Sequence, residues 1–142
     1  MTEPSFLYQQ TVPELLGKIV EVNAAIGTYN LDAKLKHLVE LRASQINQCA
    51  FCVDMHSTEA RRDGETNQRL ERLVVWRHVK DFTDAERAAL DWTEALTNLH
   101  DNIDLAPIRA ALKLHFDEAQ IGALTVLVGQ INIWNRIQRS VY

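Results

Sequence analysis

Apolar residues recur along this chain at spacings of three and four, and Gly and Pro are scarce. That is the periodicity of amphipathic helices, and it predicts an all-α protein. Thr11-Val12-Pro13-Glu14 marks a first helix start, with Pro13 near the first turn where its missing N–H costs little. Leu15, Leu16, Ile19, Val20 and Val22 form its expected packing face, and the segment fades around Gly27. Asp32 is the expected N-cap of the next helix, which carries Leu35, Leu38, Val39, Leu41 and Ile46 to about Ser44–Asn47. A break near Asn47 then sets Cys49 at or near the start of a following helix, ending near Gly64. Arg61, Arg62 and Asp63 at its far end read as a solvated terminus.

A further helix is expected from Asn67 to about Val79, with Leu70, Leu73, Val74 and Trp76 inward. Thr83-Asp84-Ala85-Glu86 matches a capping box and opens a helix through Ala89, Leu90, Trp92, Thr93 and Leu96. Asp104 with Pro107 starts a short helix to about His115, and Asp117 with Gln120 starts the last. From Ala119 to Ile133 that last helix is nearly free of charge. A helix apolar nearly all round needs cover on every side, which points to burial in a subunit interface.

At 142 residues the chain fits a single domain spanning 1–142, with no linker, low-complexity segment or tandem repeat. Its formal charge of −4 gives no electrostatic case for nucleic acid or an anionic membrane. No apolar run approaches the length of a membrane span, and Met1-Thr2-Glu3-Pro4-Ser5 does not resemble a secretory signal. A cytoplasmic location is therefore expected. In that compartment a C-x-x-C is redox-active or metal-binding more often than it is a staple.

The two cysteines, Cys49 and Cys52, are an i,i+3 pair, and His56 follows Cys52 at i,i+4. On a helix these side chains share one face. One reading is a dithiol–disulfide centre: His56 accepts the Cys52 proton, and the helix N-terminus favours the thiolate. Peroxide attack then gives a sulfenic acid that the neighbouring thiol condenses to a disulfide, reset by an external dithiol. A second reading is metal, with Cys49, Cys52 and His56 joined by His37, His100 or His115, since structural zinc takes four ligands. A third is an inert buried pair.

The segment Leu35-Lys36-His37-Leu38-Val39-Glu40-Leu41-Arg42-Ala43-Ser44-Gln45-Ile46-Asn47-Gln48-Cys49-Ala50-Phe51-Cys52-Val53-Asp54-Met55-His56 resembles the core of the carboxymuconolactone decarboxylase superfamily, alkylhydroperoxidase D-like branch. Glu59-Ala60-Arg61, the Thr83-to-Thr97 helix and Asn132-Ile133-Trp134-Asn135-Arg136 extend the similarity over most of the chain. The resemblance implies a helical bundle assembling as a homo-oligomer, a trimer or hexamer. It implies thiol-dependent peroxidase activity on an organic hydroperoxide, an antioxidant role, with Cys52 as nucleophile, Cys49 as resolving thiol and His56 in a proton relay. It implies no bound cofactor, only a dithiol reductant, of lipoyl type or carried by another protein. The decarboxylase branch, by contrast, acts on a lactone without relying on the cysteines, and a non-catalytic oligomeric binding protein is the other alternative.

Two positions depart from the peroxidase pattern. The relay glutamate of those enzymes corresponds to His37 here, while Glu40 lies one helical turn on. Either Glu40 replaces it or His37 serves as the base; otherwise His37 bonds within an interface and Glu40 pairs with solvent or Arg42. Phe51 stands between the cysteines where those peroxidases carry a histidine, and is expected to pack as a hydrophobic lid. Of the remaining residues, Trp76, Trp92 and Trp134 are expected as core or interface anchors and His78, His100 and His115 as surface groups. Ser44 is expected to bond back to a backbone carbonyl, Arg136 to fix a neighbouring helix end or carboxylate, and Asp54 to act as a first-turn acid.

Overall fold

A computed structural model describes residues 3–142. Helices α1 (Tyr8–Thr11), α2 (Pro13–Ile26), α3 (Ala33–Ile46), α4 (Ala50–Arg62), α5 (Asn67–Arg72), α6 (Asp84–Asn98), α7 (Leu105–Leu112) and α8 (Glu118–Val141) follow one another, with 3₁₀ turns at Gly27–Tyr29 and Leu73–His78. Among the described residues there is no strand, and no helix is long and apolar enough to cross a membrane.

The start signals act as their chemistry dictates. The Asp32 carboxylate accepts from the Leu35 N–H at 3.1 Å, and Asp104 accepts from Ala106. Thr83 with Glu86 and Asp117 with Gln120 each close a reciprocal capping box. Such caps contribute about 1 kcal/mol each by satisfying N–H groups that no helical carbonyl can reach.

Helix α3 is the central rod and packs on α4, α6 and α8. Leu35 and Val39 join Trp92, Leu112, Leu124 and Val128 in one apolar cluster. Leu38 and Leu41 join Ala60, Leu70, Leu73, Trp76 and Leu90 in another. With apolar neighbours on two sides, α3 is anchored from Leu35 to Leu41.

Two expected packing arrangements are corrected. The helix expected from Asn67 to Val79 ends at Arg72, and the chain continues as a 3₁₀ turn with a non-helical Val75. Tertiary bonds override the helical pattern there. Arg87 donates to the carbonyls of Trp76 and Val79, and the buried Trp76 indole donates to Glu94, so Val74 turns outward. On α2 the expected inward face is mostly outside. Leu15 is 63% exposed, Val20 and Val22 are also exposed, and only Ile26 is buried. The reason is position: α2 lies at the outside of the bundle, against α8 and the short α1. On α8, Val126 and Ile133 are exposed as well.

Candidate functional site

The corner between α3 and α4 is a Schellman turn. The Gln48 N–H bonds to the Gln45 carbonyl and the Cys49 N–H to the Ser44 carbonyl, with Gln48 in the left-handed region at φ 54°. A non-glycine residue there costs about 1 kcal/mol, and polar bonds from α8 hold the corner in place. The Asn47 amide donates to Asn132 and Asn135, the Asn135 amide donates to Ser44 Oγ, and Ser44 Oγ donates to the Glu40 carbonyl. Arg139 donates to the Asn47 carbonyl. The turn delivers Cys49 as the N-cap of α4, where its Sγ accepts from the Cys52 N–H at 3.3 Å. Negative charge on that sulfur is favoured by the N–H groups of the first turn.

Cys49 and Cys52 are joined by a disulfide, their Cα atoms 5.3 Å apart, and both are buried. A cavity of about 500 Å³ opens beside Cys52. Val20, Phe51, Met55, Ile131 and Trp134 supply an apolar wall, and His37, Glu40, His56, Glu59, Asp63 and Gln130 a polar one.

The polar wall is a string of alternating acids and imidazoles. Asp63 Oδ2 and His37 Nε2 are bonded at 2.6 Å; His37 Nδ1 lies 3.9 Å from Glu40. His56 Nδ1 lies 3.5 Å from Glu40 and 3.4 Å from Glu59. Two carboxylates on that side favour the tautomer with the proton on Nδ1, leaving Nε2 as the basic nitrogen. Among the described residues neither Nδ1 nor Nε2 of His56 has a hydrogen-bond partner, and both are buried. Burial pushes the Glu40 carboxyl up to about 7, against the pull of Lys36 and His37. Burial also lowers the His56 pKa, partly opposed by Glu59. The hydrogen bond from His37 holds Asp63 below the usual carboxylate range. Burial thus favours the neutral form of both Glu40 and His56. Asp63, at the outer end, reaches solvent.

The five residues singled out in the sequence, Cys49, Cys52, His56, Glu40 and His37, thus fall on one corner and the cavity beside it. Glu59 and Asp63 were not anticipated. Their signal was spacing, since both lie at helical intervals of three and seven beyond His56 and share its face. Asp63 ends α4 at an exposed position, as expected, and from there bonds His37. Arg42 pairs with Glu94 and not with Glu40. His100 and His115 are exposed and do not line the cavity, and no group of three His, Cys, Asp or Glu among the described residues is arranged to hold a metal ion.

Elsewhere Ser44 bonds back to a carbonyl as expected. Trp76 and Trp92 are buried, whereas Trp134 is half-buried and faces the cavity. Asp54 is exposed and lies beyond the first turn of α4, because α4 starts at Ala50. Arg136 bonds to Asn132 on its own helix; Arg139 fixes the end of α3 instead. Phe51 lines the cavity and stacks on Tyr142 with ring centres 5.2 Å apart.

Residues 13–95 match the model of the carboxymuconolactone decarboxylase family. The chain is 32% identical over 130 residues to the uncharacterized protein YdfG of Bacillus subtilis (strain 168), covering 92% of this chain and 88% of that protein. The fold superposes with a TM-score of 0.89 and 36% identity on the crystal structure of a protein of unknown function from Agrobacterium tumefaciens, proposed there to be an antioxidant defence protein AhpD. That match covers 95% of this chain and 92% of the other. The alkylhydroperoxidase AhpD core of an uncharacterized peroxidase-related protein from Ralstonia eutropha JMP134 shares the fold at a TM-score of 0.82 and 18% identity, over 97% of this chain and 74% of that one.

Proposed function

From the premise that this chain belongs to the carboxymuconolactone decarboxylase family, we propose that it is a thiol-dependent peroxidase of the alkylhydroperoxidase D-like branch. The observation that carries this reading is the Cys49–Cys52 disulfide at the start of α4, with Cys52 lining a cavity shared with His56 and Glu40. In the reduced protein the Cys52 thiolate, its proton taken by His56, attacks the terminal oxygen of an organic hydroperoxide. The O–O bond breaks, Cys52 becomes a sulfenic acid, and the alkoxide leaves as alcohol with a proton from the His56–Glu40 pair. The Cys49 thiolate then attacks Cys52 Sγ, the S–S bond forms, and hydroxide departs as water with a second proton. An external dithiol returns two electrons and two protons and leaves as its own disulfide.

In this reading His37 and Asp63 relay protons between Glu40 and solvent, which gives both His37 and Glu40 a place. The apolar wall suits the alkyl or aryl part of an organic hydroperoxide better than hydrogen peroxide. We also propose that the protein works as a homo-oligomer. Leu15, Val20 and Val22 on α2 and Val126 and Ile133 on α8 are exposed apolar side chains that a second copy would cover.

The test is a free-thiol count on reduced protein before and after an equivalent of cumene hydroperoxide, with Cys52→Ser alongside. The expected result is loss of both thiols in the wild type, their return on adding dihydrolipoamide, and no loss in the variant. Survival of both thiols overturns the proposal.

A further inference from the structure

The two ends of the disulfide face different spaces. Cys52 lines the cavity of about 500 Å³ with His56 and Glu40. Cys49 lines a second cavity of about 310 Å³ with Gln48, Ala50 and Arg139, and does not line the first. Phe51 borders both and is held by its stack on Tyr142, so it stands as a partition between them.

Resting on the thiol-redox reading above, we infer that the Cys49 cavity is the separate binding site for the reductant, a slender dithiol whose thiolate attacks Cys49. Charge supports this assignment. Lys36 and Arg62 offset part of the charge of Glu40, Glu59 and Asp63 around the Cys52 cavity, whereas among the described residues Arg139 is the only charged side chain lining the other, with no acidic side chain beside it. An incoming thiolate meets Arg139 and the N-terminal end of α4 on the Cys49 side. Thiol–disulfide exchange also depends on which sulfur is attacked and on how well the other leaves. Attack at Cys49 forms a bond between the reductant sulfur and Cys49 Sγ and breaks the Cys49–Cys52 bond. Cys52 departs with the electron pair, as a thiolate beside His56. The second thiol of the reductant, deprotonated, then attacks the reductant sulfur of the mixed disulfide, closes the cyclic disulfide and releases the Cys49 thiolate. The first exchange thus regenerates the peroxide-reactive sulfur in its own cavity, while the reductant stays on the other side of Phe51.

The inference is tested on the oxidised protein with thiols alone, so its outcome is independent of any peroxide reaction. Oxidised wild type is exposed briefly to 2-mercaptoethanol, quenched with excess iodoacetamide and mapped by peptide mass spectrometry. The expected product carries mercaptoethanol on Cys49 and the alkyl group on Cys52. The reverse labelling, or equal labelling of both, overturns the assignment. As a second measurement, Ala50→Phe fills the Cys49 cavity and is expected to slow disulfide reduction by dithiothreitol about tenfold; an unchanged rate in a folded variant overturns it. If Cys49 is labelled but hydroperoxide leaves both thiols intact, the peroxidase reading fails and the reductant site stands.

Discussion

The Asn47 side-chain amide donates to the Asn135 side-chain oxygen at 2.8 Å, joining the turn before Cys49 to the buried middle of α8. Asn135 is fully buried and its own amide satisfies Ser44 Oγ. Removing it takes one hydrogen bond from Asn47 and one from the buried Ser44, which keep their bonds to Asn132 and to the Glu40 carbonyl. Asn135→Ala is expected to lower stability by roughly 1–3 kcal/mol, because each of the two lost bonds contributes about 0.5–1.5. Urea denaturation of the oxidised protein checks this. A loss below about 0.5 kcal/mol, the range of an ordinary surface change, contradicts the anchoring role.

The same bond shows where sequence reasoning reached and where it stopped. Capping signals at Asp32, Thr83, Asp104 and Asp117 are local, since each cap lies within three residues of its partner, and they marked helix starts correctly. The corner at Cys49 was legible for the same reason. Asn135, Asp63 and Glu59 carry no such mark, because their importance comes from what the fold brings near them. His37 and Asp63 are 26 residues apart in the chain. The outward face of α2 was misjudged because periodicity tells that a helix has an apolar side, not whether its own chain covers it. Val74 was misjudged because Arg87, donating to the Trp76 carbonyl, and Glu94, accepting from the Trp76 indole, fix the chain beside it.

In the proposed reaction Cys49 resolves an oxidised Cys52, so its removal separates the two chemical steps. Cys49→Ser, reduced and treated with one equivalent of hydroperoxide, is expected to accumulate sulfenic acid on Cys52. Dimedone labelling read by intact mass detects the adduct. Wild type forms disulfide instead and takes up little dimedone. Dimedone on neither protein, with thiols unchanged, contradicts the assigned order of attack.

Arg69 bonds Glu65 at 2.8 Å and grips Glu86 with two nitrogens, while the Glu65 side chain is almost fully buried. Arg69→Met leaves that carboxylate without its cation and is expected to destabilise by about 3–5 kcal/mol. Adding Glu65→Gln removes the stranded charge and should recover part of the loss. Thermal denaturation of both variants checks the pair, and a double variant no better than the single one refutes the stranded-charge explanation.

An uncovered apolar strip on α2 predicts an assembly that a charge can break. Leu15→Asp with Val22→Asp places two carboxylates on that strip, both at exposed positions within a single chain. The variant is expected to stay folded and to elute with the mass of one chain in light-scattering chromatography, where the wild type elutes as an oligomer. A monomeric wild type refutes the assembly. An oligomeric variant refutes the choice of face.

Glu40 carries the most specific pH signature. Its folded pKa, pushed up to about 7 by burial, stands above its ordinary 4.5. The folded state therefore holds a proton that the unfolded state has lost between those values, and stability contributed by neutral Glu40 fades as pH rises through the window. Relative to Glu40→Gln, the wild type is expected to lose about 3 kcal/mol between pH 4.5 and 8. His56 acts in the opposite direction: its pKa is lowered on folding, so its contribution grows as pH rises toward 6.5. Comparing the two proteins at each pH isolates the Glu40 difference. Urea midpoints across pH 4 to 8 measure it, and parallel curves contradict a protonated buried Glu40. In the same range the rate of thiol oxidation by hydroperoxide should rise with a midpoint near 7 as Glu40 ionises and can take the proton from His56. That midpoint should vanish in Glu40→Gln and move little in His37→Gln if His37 only connects Glu40 to solvent. A midpoint that survives in Glu40→Gln assigns the titration to a cysteine thiol instead.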